Sequence, residues 1–148
     1  MQRLFTVETV TNLIARIEQL QPESKPLWGK MDVARTLAHC EMPILIALQE
    51  MKIKRSLFGM LFGKIAKRKL VGEKPFPVNL PTDKSFQKTD QRAFAVEKDK
   101  FVELVKRLAT ADQEWVSGQT HPFFGKMSPE WSILQFKHLD HHLRQFGV

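Results

Sequence analysis

Apolar residues recur at helical spacing along four segments of this chain, and nowhere do they alternate with polar ones for long enough to suggest a strand. From Thr6 to Leu20, residues Val7, Val10, Leu13, Ile14, Ile17 and Leu20 share one face, and Pro22 and Pro26 close the segment. A second helix is expected from the cap Asp32 to about Met51, with Ala34, Leu37, Ala38, Leu45 and Leu48 as its inner stripe. Pro43 lies inside that pattern; it removes one backbone bond and predicts a kink just after His39 and Cys40. A third helix, Asp90 to Ala109, runs through Phe94, Phe101, Leu104, Val105 and Leu108. The last spans about Pro129 to Phe146. Ser128 is its expected cap, Pro129 loses nothing at the first helical position, and Glu130 and Arg144 suit the two ends of the dipole.

The remaining stretches connect these helices. Leu57 to Val71 repeats Leu-Phe-Gly and then turns basic, with Gly59 and Gly63 at the spacing of close helix packing. It reads as a helix-breaking connector with packed phenylalanines, with a lid or a peripheral membrane helix as alternatives. Lys74 to Pro81 holds three prolines and should be extended, and Thr110 to Met127 should be a loop. Together these features predict an all-α chain: one domain over residues 1–148, a four-helix bundle with a long crossover between helices 2 and 3. The core of such a bundle is a natural place for a metal site built from facing helices.

Composition narrows the setting. A chain of 148 residues can bury about 70% of its unfolded surface in a single core. No apolar run approaches the roughly 18 residues of a membrane span, and MQRLFTVETVTN lacks the apolar core of a secretory signal. Cys40 is the only cysteine, so no internal disulfide exists. A cytoplasmic protein is the expectation. Between Lys52 and Lys74 stand Lys52, Lys54, Arg55, Lys64, Lys67, Arg68, Lys69 and Lys74 against the single acid Glu73, which accounts for the whole net charge of +7. The rest of the chain is balanced, and the segment is expected to be a solvated basic face rather than a specific nucleic-acid site.

Chemistry concentrates in the last helix. Three of the five histidines, His138, His141 and His142, fall within five positions of it. His138 and His142 differ in direction by about 40°, so both rings can reach one ion, while His138 and His141 differ by about 60° the other way and form a competing pair. Trp131, Leu134 and Gln135 share the His138 face, which makes that face inward. Two imidazoles do not hold a metal, and a third ligand must come from elsewhere. Cys40 is expected to be a small core residue, His121 to pack or hydrogen-bond within its loop, His141 to lie beside the pair or at the surface, and Trp28, Trp115 and Trp131 to pack, with Trp131 able to wall a pocket.

Trp28-Gly29-Lys30-Met31, Arg35-Thr36-Leu37-Ala38-His39-Cys40, the loop His121 to Met127 and the closing Trp131 to His142 segment together resemble the DinB-like (DinB/YfiT-like) superfamily, closest to a branch without assigned function. The resemblance covers nearly the whole chain. It implies that His39 from the second helix joins His138 and His142 on a divalent metal, with zinc or nickel foremost. Three neutral imidazoles leave a coordination position open, the pattern of a catalytic site. Similar members include thiol transferases, so the resemblance implies a metal-dependent S-transferase acting on a small-molecule substrate with a low-molecular-weight thiol, towards which the Lys64 to Lys69 run could steer an anionic thiol. The alternatives are a metal-dependent hydrolase, for which Glu41 and Asp140 are the candidate bases, and a bundle that binds a metal or small ligand without catalysis. A homodimer is a further expectation carried by the resemblance alone.

Overall fold

The computed structural model describes residues 6–54, 57–81, 84–127 and 129–148, the side chain of Phe58 apart. Two residues named above, the expected cap Ser128 and the basic Arg55, lie outside them. The chain is mostly helical. Helix α1 spans Val7–Glu18, α2 Val33–Ala47, α3 Leu57–Val71, α4 Phe94–Thr110, α5 Gln113–Gly118 and α6 Glu130–Gln145. None of the described helices is long and apolar enough to cross a membrane.

Local chemistry explains the boundaries. Thr6 and Asp32 cap α1 and α2 by accepting from the amides of Thr9 and Arg35. Helix α2 passes through Pro43 without interruption and ends at Ala47, short of Met51, because the chain turns left-handed at Gln49 (φ 60°). Helix α4 starts at Phe94 rather than Asp90, and α6 at Glu130, with Pro129 in the cap position.

Three expectations are corrected. Leu57 to Val71 is a continuous 15-residue helix, not a connector. One of its glycines is needed there: a Cβ on Gly63 would collide with the carbonyl oxygen of Phe123, so only glycine lets α3 seat on the backbone at Phe123. The stretch Thr110 to Met127 is structured: Asp112 accepts from the amides of Glu114 and Trp115 to start α5, and strands β1 (Thr120–His121) and β2 (Gly125–Lys126) form a small antiparallel hairpin. Trp115 is not packed; it is 45% exposed on the short α5.

The core lies where α2 meets α4 and α6 and where α1 meets the same two helices. Leu13, Ile17, Ile44, Val105, Leu108 and Trp131 are fully enclosed there. Helix α3 and the hairpin flank α6 on another side. One polar contact fixes the register of α6 on α2: the side-chain amide of Gln135, itself buried, donates to the Pro43 carbonyl at 2.9 Å. Gln135 stands one turn before His138 on the same face, and Pro43 one turn beyond His39, so this bond holds the two histidines opposite one another.

Candidate metal centre

His39, His138 and His142 converge between α2 and α6, with one ligand nitrogen from each within 4.8 Å of the others. The Nε2 atoms of His39 and His138 are 3.0 Å apart. Ring centroids of the three lie 4.7–5.0 Å from one another. Around a tetrahedral zinc at ordinary Zn–N lengths, ligand nitrogens stand about 3.3 Å apart, so the set is near the size such an ion requires.

What the other ring nitrogens do is as informative as the spacing. His39 donates its Nδ1–H to the Phe86 carbonyl at 2.8 Å, and His142 donates its Nδ1–H to Oε1 of Gln145 at 2.7 Å. Each acceptor lacks a proton of its own to give, which assigns the tautomer and leaves the Nε2 lone pair pointing inward. Such outer partners are the usual support of metal-ligating histidines. Gln145 is anchored in turn, its amide donating to the Trp28 carbonyl at 2.6 Å. Gly29 makes room for it, since a Cβ there would lie 2.6 Å from Gln145 Nε2. His138 differs: its Nδ1 is buried with no hydrogen-bond partner. Without an ion, the proton of neutral His138 must sit on Nε2, between the two rings, and Nδ1 is left as an orphaned acceptor.

Burial keeps all three rings neutral. Desolvation lowers the pKa of His39 and lowers that of His138 well below the usual histidine value; the nearby rings of His142 and His39 add to the latter. His142 is pushed down to about 3, again chiefly by burial. Neutral imidazole is the form that ligates. The donor set therefore fits a divalent ion in chemistry, protonation and spacing.

The residues expected around this centre fall on both sides of the line. His141 is outside the converging set, its ring centroid 5.1 Å from that of His142, 5.5 Å from Trp28 and 5.9 Å from Phe76, so His142 and not His141 partners His138. Both candidate bases are corrected. Asp140 pairs with Arg16 at 2.9 Å, and Glu41 is buried beside Glu97 of α4; each lies two residues from a ligand, about 200° around its helix. Burial, with Glu97 next to it, lifts the Glu41 carboxyl to about 7. Cys40 is a core residue, its thiol held well above the ordinary range by burial. His121 accepts from the amides of Phe123 and Phe124 and stacks near Trp131, outside the centre, as its loop position suggested.

Several contributors went unnoticed in the sequence. Gln145 follows His142 by three positions on one helical face, a signal that was available. The Phe86 carbonyl, offered by a single 3₁₀ turn over Lys84–Phe86, and the wall formed by Phe76 carry no such signal. Lys137 is a further surprise. Its ammonium donates to the carbonyls of Leu70, Gly72 and Lys74, tying the end of α3 and the segment that follows it to α6 beside His138.

No curated protein and no solved structure matches this chain. A family model described as "Protein of unknown function (DUF1569)" matches residues 1–147, and the chain belongs to that family.

Proposed function

We propose that this chain is a divalent-metal-dependent transferase of the DinB-like type, with α1, α2, α4 and α6 as the four helices of the bundle and α3 in the crossover between the second and third. His39, His138 and His142 hold the ion. The observation that carries this reading is the pair of outer hydrogen bonds, His39 to Phe86 and His142 to Gln145, which spend the Nδ1 protons outward and leave the Nε2 lone pairs for ligation on two rings whose centroids are 4.8 Å apart.

A divalent ion held by His39, His138 and His142 would supply Lewis acidity, which favours the thiolate form of a low-molecular-weight thiol near neutral pH. The protein's own part is to keep three imidazoles neutral, to orient them through Phe86 and Gln145, and to exclude water with Phe76 and Trp28. Hydrolysis asks for a side chain that takes a proton from water, and both carboxylates expected for that role face other partners. A thiol held by the ion would also have to release its proton, so the positions of Glu41 and Asp140 do not separate the two reactions, and thiol transfer stands first on the resemblance of the sequence to thiol transferases.

The test begins with metal content by plasma mass spectrometry on untagged protein purified without chelator, beside His39→Ala and His138→Ala. Near one equivalent of a transition metal in the parent chain, lost in both variants, is the expected result. Metal-dependent, saturable conjugation of an electrophile by a member of a thiol panel then identifies the transferase. Ester cleavage without thiol conjugation would replace it by the hydrolase, and bound metal with neither activity by a binding protein. A parent chain that takes up neither zinc, nickel nor manganese would overturn the reading at its root.

A further inference from the structure

Helix α3 has an inner side whose contacts fix its orientation. Gly63 abuts the Phe123 backbone, Lys67 donates to the Lys126 carbonyl at 3.2 Å, and Lys137 of α6 donates to the Leu70 carbonyl in its last turn. The opposite side is therefore held outward, and its composition is unusual for solvent. Leu57 is 78% exposed, Leu61 74%, Ile65 61% and Met60 57%. Residues 57, 61 and 65 follow one another at four-residue steps, so they form one ridge along the first three turns.

Single exposed apolar side chains need no explanation, but four on one helix face make a patch. The same face continues in cations. Lys64 and Arg68 point within about 20° of Leu57 around the helix axis, and Lys69 lies at the edge; all three are exposed. Helix α3 carries no acidic residue, and the exposed Lys52 and Lys54 precede it.

A partner for this face must offer apolar depth and negative charge together. A nucleic acid offers phosphates, but Leu57, Leu61 and Ile65 would stay in water against a duplex backbone. A second copy of the chain would supply the apolar surface while bringing like charges together. An anionic bilayer offers both, with acyl chains below a layer of phosphates, and two weak signals acting together give stable association where one does not. We propose that the outward face of α3 docks the protein on an anionic phospholipid surface. Leu57, Met60, Leu61 and Ile65 enter the headgroup boundary, while Lys64, Arg68 and Lys69 meet lipid phosphates. The proposal is independent of the metal centre, which lies behind the other side of the helix.

Flotation of the full chain with vesicles tests it, using equal parts phosphatidylglycerol and phosphatidylcholine against phosphatidylcholine alone. The parent chain should float with the anionic vesicles and stay behind with the neutral ones, and inorganic phosphate at matched ionic strength should not compete. Replacing Lys64, Arg68 and Lys69 by glutamine should weaken binding roughly a hundredfold. Leu61→Ser with Ile65→Ser should weaken it at least about tenfold. Unchanged circular dichroism in these surface variants keeps the comparison interpretable.

Failure to float with anionic vesicles would overturn the proposal, as would equal binding to neutral ones. Full binding by the Leu61→Ser, Ile65→Ser variant would do the same, since it would leave only a charge effect. So would a dimer in sedimentation that these serines dissociate, or a DNA affinity that the glutamine variant abolishes while vesicle binding persists.

Discussion

His121 and His142 invite comparison, because burial gives both the same electrical character and the fold gives them different work. Each is pushed to a pKa of about 3 by desolvation, so each is neutral in any ordinary buffer. His121 turns Nδ1 onto the backbone of its own hairpin, accepting from Phe123 at 3.1 Å and Phe124 at 3.3 Å, with its ring against Phe124 and Trp131. His142 instead donates Nδ1–H to Gln145 and leaves Nε2 directed at two other imidazoles. Neutrality and burial are common to a packing histidine and to a ligand. An inward lone pair that no protein group has claimed is what separates them.

The sharpest way to break this distinction is to remove a ring from each place. His39→Ala or His138→Ala should drop bound metal from near one equivalent to background. His121→Ala should keep the metal and lose about 1–3 kcal/mol of stability per amide left unsatisfied, read by urea unfolding. If His121→Ala also empties the centre, the two environments are not independent.

The next largest effect concerns orientation. Gln145→Leu removes the acceptor for His142 Nδ1–H and the tie to Trp28 while leaving all three ligands in place. Metal affinity measured by chelator competition should fall about 10–100-fold, with full occupancy recovered at high metal. An unchanged affinity would mean that packing alone orients His142.

Acid separates the two regions more gently. Folded His142 and His121 titrate near 3, whereas unfolded histidine titrates near its ordinary 6.5. Between those values the unfolded chain binds more protons, so the metal-free protein is most stable above about 6.5 and should lose stability as the pH falls towards 3. Saturating zinc opposes protonation of the ligands only, so it should shrink the loss without abolishing the share due to His121. Unfolding midpoints from pH 8 to 4, with and without zinc, measure both parts. Identical curves would place the titrating histidines outside the metal centre.

The smallest expected change is a tautomer. Metal-free His138 should carry its proton on Nε2, facing His39, and the loaded form on Nδ1, while His39 keeps Nδ1–H throughout. Nitrogen-detected NMR of the imidazole side chains distinguishes these states. A His138 already protonated on Nδ1 before loading would remove the difference between it and its neighbours.

Much of this arrangement was legible in the chain, and the reasons can be named residue by residue. Period marked α1, α2, α4 and α6, because apolar side chains must share a face for a helix to bury it, and Asp32 marked the start of α2 because the first free amides need an acceptor. The four-residue step placed His138 and His142 together. It was silent on Glu41 and Asp140, which looked available until Glu97 and Arg16 claimed them from distant parts of the chain. It misjudged α3, whose glycines read as breaks, whereas one of them, Gly63, is where the helix seats against Phe123.

The sequence by itself determined the helical class, the positions of four helices, and a pair of imidazoles on one inward stripe, since these depend on residues within a turn or two of each other. The tertiary structure decided which nitrogen each imidazole presents. That choice rests on the Phe86 carbonyl 47 residues from His39 and on a Gln145 side chain braced by Trp28, 117 residues away in the chain. Hydrogen bonds that assign a tautomer require a partner at bonding distance, and no periodic pattern along a helix specifies what a separate segment brings there.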